Sequence, residues 1–192
     1  MYSSELFAIN YELKHTAPAN LEFAHPQYER WDWQGTNIFG HVDAGFDGEC
    51  TGALTICAVR KDKRIQARGE VFLENVKDRV NWIADTCRKY RVQEVLVESN
   101  PDKGYTAELL RKQGLKVFSY HEDMNKHNKI TSYVKYHWHD LLFDCDIEHT
   151  DYMAQVQEYA QGVKPDDAID SLASVLRLRY TNKGNWRTLY EW

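Results

Sequence analysis

Residues 37–46 read NIFGHVDAGF, a short apolar strand that carries one carboxylate, Asp43, near its end. Residues 51–59, TGALTICAV, and 65–73, IQARGEVFL, follow as two more strand-like runs, with the charged turn RKDK at 60–63 between them. Three such runs in succession predict an antiparallel meander. After it the pattern changes. In 74–90, ENVKDRVNWIADTCRKY, Val76, Val80, Ile83, Ala84 and Cys87 recur at helical spacing. Residues 92–99 read as a strand, 105–114 as a helix closed by Gly114, and 115–121 as another strand. A helix over 126–139, a short strand near 141–143 and a helix over about 150–161 come next. Gly162 is expected to end that helix and Pro165 to open the last one, where its missing N–H does no harm. A meander followed by alternating helices and parallel strands predicts an α/β fold, a mixed sheet flanked by helices.

Outside this pattern, residues 1–35 scatter aromatics among polar residues without a period and read as an irregular arm packed on the domain; 181–192 form a tail. At 192 residues, with no low-complexity linker, the chain is expected to form one main domain over 36–180. No apolar run approaches membrane-spanning length, and the N-terminus lacks the succession of a secretory signal. Cys50, Cys57, Cys87 and Cys145 lie far apart without a Cys-x-x-Cys, so they read as buried, reduced thiols. The net charge of −5 argues against coating nucleic acid by bulk electrostatics, yet leaves local basic tracks free to meet phosphates.

The acidic residues carry the chemical signal. In KPDDAIDSLASVL, residues 164–176, the positions Ile169, Leu172, Ala173 and Leu176 share one helical face, and Asp166, Asp167 and Asp170 fall on the arc beside it. One aspartate in a first turn satisfies free N–H groups and offsets the helix dipole. Three are more than capping needs, because adjacent carboxylates repel unless a cation offsets them. Asp43 sits in an apolar strand, where a charge is costly unless paired or coordinated; alone it also reads as a turn residue beside Gly45 and Gly48. Glu98 closes its strand at a carboxyl end, where open α/β sheets place their crevices, or else is an exposed terminus. If the first and fourth strands are neighbours, Asp43 and Glu98 open into one crevice with the last helix against them. Such a set offers hard oxygen ligands without Cys or organised His, which suits Mg2+ or Mn2+ rather than zinc. Two such ions about 4 Å apart activate a water and stabilise the leaving oxygen in phosphodiester hydrolysis.

Lys126 and Lys129 open a helix against its dipole, so an external anion such as phosphate gives them a reason; a solvated face is the plainer alternative. Asn100, Lys103 and Gly104 can line the same cleft or form a plain turn. Asp47 and Glu49 are further acids near the first strand. His137 and His139, two apart, face different ways on a helix and cannot chelate one ion.

The ordered set HVDAGFDGECTGALTI, EVLVESNPDKG, NKHNKI and KPDDAIDSLAS, spread over residues 36–180, resembles the ribonuclease H-like nucleases. Within them it is most similar to the C-terminal nuclease domain of the large terminase subunit of tailed bacteriophages. The resemblance implies metal ligation by Asp43, Glu98 and Asp167, with Asp170 or Asp166 assisting. Two divalent cations, Mg2+ or Mn2+, would be bridged by Asp43, with Glu98 on one and Asp167 and Asp170 completing the other's shell. It implies endonucleolytic cleavage of double-stranded DNA during genome packaging in the host cytoplasm. The implied partners are DNA, an ATPase domain of the same protein, the portal and the small terminase subunit. No G-x-x-x-x-G-K-[ST] phosphate loop occurs here, so the chain reads as the nuclease half alone, with residues 3–15 a remnant of the joint. The rival readings are a Holliday-junction resolvase or ribonuclease H, and a non-catalytic docking module of the motor.

Overall fold

The computed structural model describes residues 22–44, 51–100 and 102–180. Expectations placed on residues 1–21, on Gly45, Asp47, Gly48, Glu49 and Cys50, and on the tail 181–192 lie outside the described residues. The elements in chain order are β1 (Tyr28–Glu29), β2 (Thr36–Asp43), β3 (Gly52–Val59), β4 (Ile65–Phe72), α1 (Val76–Lys89), β5 (Glu94–Glu98), α2 (Tyr105–Lys112) and β6 (Val117–Tyr120). Then follow α3 (Lys126–His137), β7 (Leu141–Asp144), α4 (Asp151–Gln157), α5 (Asp167–Val175) and a π-helical turn, Leu176–Tyr180.

One seven-stranded sheet runs in the order β1-β7-β4-β3-β2-β5-β6. β2, β3 and β4 form the antiparallel meander, and β5 and β6 extend it in parallel from β2. β7 pairs parallel with β4 on the other side. This is the mixed α/β sheet that the strand and helix pattern predicts.

Alternation along the strands sorts the side chains into two cores. Ile38 and Val42 of β2 pack with Leu54, Ile56, Val76, Val80, Ile83, Val95, Val97 and Leu110, the layer under α1 and α2. Phe39, Cys57, Leu96 and Tyr120 face the opposite way, against Ile130, Val134, Tyr152, Ile169, Leu172 and Leu176 of the α3, α4 and α5 side. Asp43 and Glu98 continue the Phe39 and Leu96 sets by period two, so both belong to the α5 face.

Four sequence expectations need correction. The folded unit does not begin at residue 36: Phe23 is fully buried, Trp31 is buried, and β1 pairs with β7. A two-residue strand is too short to leave a periodic signal. α4 ends at Gln157, well before Gly162, as Tyr159 turns into the core with its hydroxyl 3.0 Å from His127 Nδ1. Pro165, after a cis Lys164–Pro165 peptide, lies outside α5, whose N-cap is Asp166. Among the cysteines, Cys57 and Cys87 are buried thiols, but Cys145 is exposed.

Gly69 in β4 shows how closely α4 approaches the sheet. A Cβ added there would collide with the ring of Tyr152, whose hydroxyl lies 2.7 Å from Thr55 Oγ1. Gly69→Ala is expected to destabilise the chain by about 1–3 kcal/mol through overpacking. A fall in the urea midpoint with unchanged slope checks it; an unchanged midpoint would show that the α4 packing yields freely.

Candidate functional site

β2 and β5 are adjacent and parallel, with Val42 opposite Val97. Asp43 and Glu98 are the next residue on each strand. They therefore end neighbouring strands at one level and face the same side, where α5 crosses. Glu98 is in register with Tyr120 of β6, so the row continues across three strands. Asp43 keeps partial solvent contact although protein surrounds it closely.

α5 supplies the other carboxylates, and their roles differ. Asp166 holds the N-cap position yet makes no side-chain capping bond. Instead its Oδ1 lies 2.8 Å from Lys126 Nζ and 2.5 Å from Lys164 Nζ. The N–H of Ala168 is satisfied by Gln155 Oε1 at 3.0 Å. Capping thus fails to explain the aspartates. Asp167 accepts a short hydrogen bond from Thr51 Oγ1 and lies 4.0 Å from Lys126. Asp170 is the most central: Oδ1 is 2.9 Å from Lys129 Nζ and Oδ2 is 3.4 Å from Lys126 Nζ.

The electrostatics rank the three in the same way. Burial raises Asp43 to about 7, helped by repulsion from Asp170 and, more weakly, Asp167, against the pull of Lys126 and Lys129. Burial also raises Glu98, where Asp170 and Glu122 repel and Lys129 attracts. Asp170 is felt by both strand carboxylates and Asp167 by Asp43 alone. Asp166 is drawn below the usual range because hydrogen bonds from Lys126 and Lys164 outweigh the opposing effect of its burial.

Lys129 has neither the external anion nor the solvated face expected of it. It is 1% exposed, and its ammonium meets Asp170, Glu122 at 3.3 Å and Ser174 Oγ at 2.8 Å. The anions that compensate these lysines against the α3 dipole are internal. Asn100, also expected at DNA, is engaged in a clamp. Its Nδ2 donates to the carbonyl of Glu122 at 2.6 Å, and its Oδ1 accepts from the Glu122 N–H at 3.1 Å, fixing the end of β5 to β6. Lys103 is exposed on the loop before α2, in a left-handed conformation.

Behind the acids runs a polar network that sequence reasoning missed. Lys129 can only donate, so Ser174 accepts from it and donates onward to Tyr120. Tyr120 OH lies 2.9 Å from His41 Nε2, and His41 Nδ1 lies 3.0 Å from Ser171 Oγ. Ser171 Oγ donates its one proton to the His41 carbonyl at 3.3 Å, so it accepts from Nδ1, which assigns His41 the Nδ1–H tautomer and leaves Nε2 to accept from Tyr120. Burial, then the charges of Lys129 and Arg177, hold its pKa far below normal, in keeping with a neutral ring. Arg177 closes the network on Glu122 at 2.7 Å. The signal for His41 was its place two residues before Asp43, on the same strand face. For Lys129 it was a charge on the apolar side of α3, beside Ile130.

Among the described residues, no three His, Cys, Asp or Glu side chains stand at the spacing of a formed metal site. The α5 aspartates are turned onto Lys126 instead. The donor set nonetheless fits a hard divalent cation: all oxygen, crowded, mutually repelling and partly desolvated. A groove of about 520 Å³ lies beside the cluster, lined by Thr51 and Lys164, the partners of Asp167 and Asp166, and by Phe72, Leu73, Tyr159 and Pro165; the clustered acids do not line it.

No family model and no curated protein matches this sequence. Solved structures do match in fold. The large terminase nuclease of thermophilic phage G20c with bound cobalt aligns with a TM-score of 0.59 at 14% identity, covering 84% of this chain and 99% of that one. The chain shares the fold of phage large-terminase nucleases. The nuclease domain from bacteriophage SPP1 with bound manganese gives 0.56 at 16% identity over 80% of this chain and 96% of that one. The large terminase of bacteriophage HK97 gives 0.58 at 6%, with 79% of this chain covering 40% of that longer one.

Asp43 makes the stability of the metal-free protein pH-dependent. Its carboxyl is raised from 3.8 to about 7 in the folded state, so the native state binds the extra proton between those values. Its stabilising contribution is full below about pH 4 and is lost as pH rises through about 7. In chelator-containing buffer, Asp43→Asn is therefore expected to gain on the wild type across that window, by on the order of a few kcal/mol. Urea unfolding of both proteins at several pH values measures this; a constant difference would contradict it.

Proposed function

We propose that this chain is a metal-dependent endonuclease acting on double-stranded DNA, the nuclease part of a phage packaging terminase. The observation that supports the reading is the placement of Asp43 and Glu98 at the ends of the adjacent strands β2 and β5, with Asp170 of α5 close enough to repel both, within a fold shared with metal-bound terminase nucleases. Asp43, Glu98 and Asp170 would hold the first shell of divalent cations, Mg2+ or Mn2+, with Asp167 assisting. Asp166 is bound to two lysines and is the least suited of the three. When bound, two such ions supply an activated water and charge stabilisation for the leaving oxygen of a phosphodiester.

The remaining residues prepare the cleft. Lys129 anchors Asp170 Oδ1 and so leaves Oδ2 directed outward. The Asn100 clamp fixes the strand end that carries Glu98, and the His41 relay fixes β2 two residues before Asp43. Lys164, exposed at the rim, and Lys103 are the cations best placed to meet DNA phosphates. Such contacts position a duplex without reading its sequence. The folded unit over residues 22–180 would join an ATPase domain, the portal and the small subunit in the assembled motor. No described helix is long and apolar enough to cross a membrane.

Asp43→Asn is expected to lower Mn2+- or Mg2+-dependent nicking of plasmid by at least about 100-fold while circular dichroism stays native. Duplex should be cut in preference to branched DNA or RNA–DNA hybrid. Undiminished nicking by the variant would refute the assignment, and preference for a junction or hybrid would transfer the protein to another branch of the fold.

A further inference from the structure

Lys126 and Lys129 stand three residues apart on α3, yet their surroundings differ. Lys129 is enclosed: its ammonium donates to Ser174 Oγ at 2.8 Å and is paired by charge with Asp170 Oδ1 at 2.9 Å and Glu122 at 3.3 Å. It has no route out. Lys126 has a side chain 32% exposed, with Nζ 2.8 Å from Asp166 Oδ1, 3.4 Å from Asp170 Oδ2 and 4.0 Å from Asp167 Oδ1. Only the first of these is a hydrogen bond; the other two are held by charge. Lys126 is also the first residue of α3, where the dipole repels a cation. The aspartates of the neighbouring helix are what keep it there.

We infer that Lys126 is an internal placeholder cation: its ammonium neutralises the α5 aspartates in the metal-free protein and withdraws when a divalent ion enters. This rests on the metal-centre reading above. An ammonium and a divalent cation cannot share one set of carboxylate oxygens without strong repulsion. Asp170 shows the division of labour, with Oδ1 on the immobile Lys129 and Oδ2 facing Lys126. Withdrawal of Lys126 frees Asp170 Oδ2 and leaves Asp167 Oδ1 without its cation, while Asp170 Oδ1 stays on Lys129 and Asp167 Oδ2 on Thr51. The long flexible stem of a lysine and its partial exposure let it leave for solvent. A fixed arginine fork or a buried lysine would not serve. The placeholder spares the empty cleft the mutual repulsion of its acids, at the expense of metal affinity.

The test is titration of the full chain with Mn2+ alone, by calorimetry or by the electron paramagnetic resonance of free Mn2+. Wild type, Lys126→Met and Asp43→Asn are compared. Lys126→Met is expected to bind Mn2+ roughly fivefold tighter or more, and to melt lower than wild type without metal. Added Mn2+ should raise its melting temperature more than that of the wild type. Equal or weaker binding by Lys126→Met, with wild-type binding that depends on Asp43, overturns the placeholder and leaves the metal centre standing. Absence of saturable wild-type binding overturns both. If Lys126→Met does not fold, Lys126→Gln, which keeps a hydrogen-bond donor without the charge, carries the same comparison.

Discussion

Parallel pairing of β2 with β5 is the constraint on which the cleft depends. Because the two strands end together and side chains alternate, the residue after the Val42–Val97 pair must be the last on each strand and must face α5. A one-residue slip would turn Glu98 to the other core. The hydrophobic sets fix that register: Ile38, Val42, Val95 and Val97 are committed to the α1 side and Phe39 and Leu96 to the α5 side. The placement of the acids is thus a consequence of core packing.

Gathering carboxylates at such a place has a cost that the surrounding charges offset. Burying a charge is expensive unless it is paired and hydrogen-bonded. Lys129, Glu122 and Arg177 form an alternating row behind Asp170, and the neutral relay of Ser174, Tyr120, His41 and Ser171 lies beside it. The π-helical turn after α5 fastens the arrangement to the sheet. Arg179 meets Glu94 at 2.5 Å, and the Tyr180 hydroxyl shares its one proton between the carbonyls of Asn37, at 2.5 Å, and Cys57, at 2.8 Å. The last helix is thereby tied at both ends, and its aspartates cannot drift from the strands they face.

Much of this was legible in the residues. The meander, the switch to helix and strand, and the strand ends at Asp43 and Glu98 follow from periodicity, which reports directly on burial. The three aspartates stood out because local capping could not use them all, and in the structure Asp166, at the N-cap position, makes no side-chain cap bond to α5. Their ranking was not legible. Asp166, Asp167 and Asp170 differ only in which neighbour each meets, and apart from Lys164, two residues before Asp166, those neighbours, Lys126, Lys129 and Thr51, lie far away in the chain. The same holds for Lys129 and Asn100. Each belongs to a residue type common at phosphates, and only the packing of α3 on α5 and of β6 on β5 reveals that they are already engaged. The short β1 escaped because its pairing partner is more than a hundred residues away and its own length leaves no period.

The central claim is that Asp43, Glu98 and Asp170 share divalent cations. Anomalous diffraction from crystals of the protein grown with Mn2+ tests it most directly. The account predicts manganese peaks between β2, β5 and α5, ligated by Asp43, Glu98 and Asp170, with the Lys126 ammonium displaced from the aspartates. Manganese bound elsewhere, or these three carboxylates without a peak at saturating Mn2+, would contradict it.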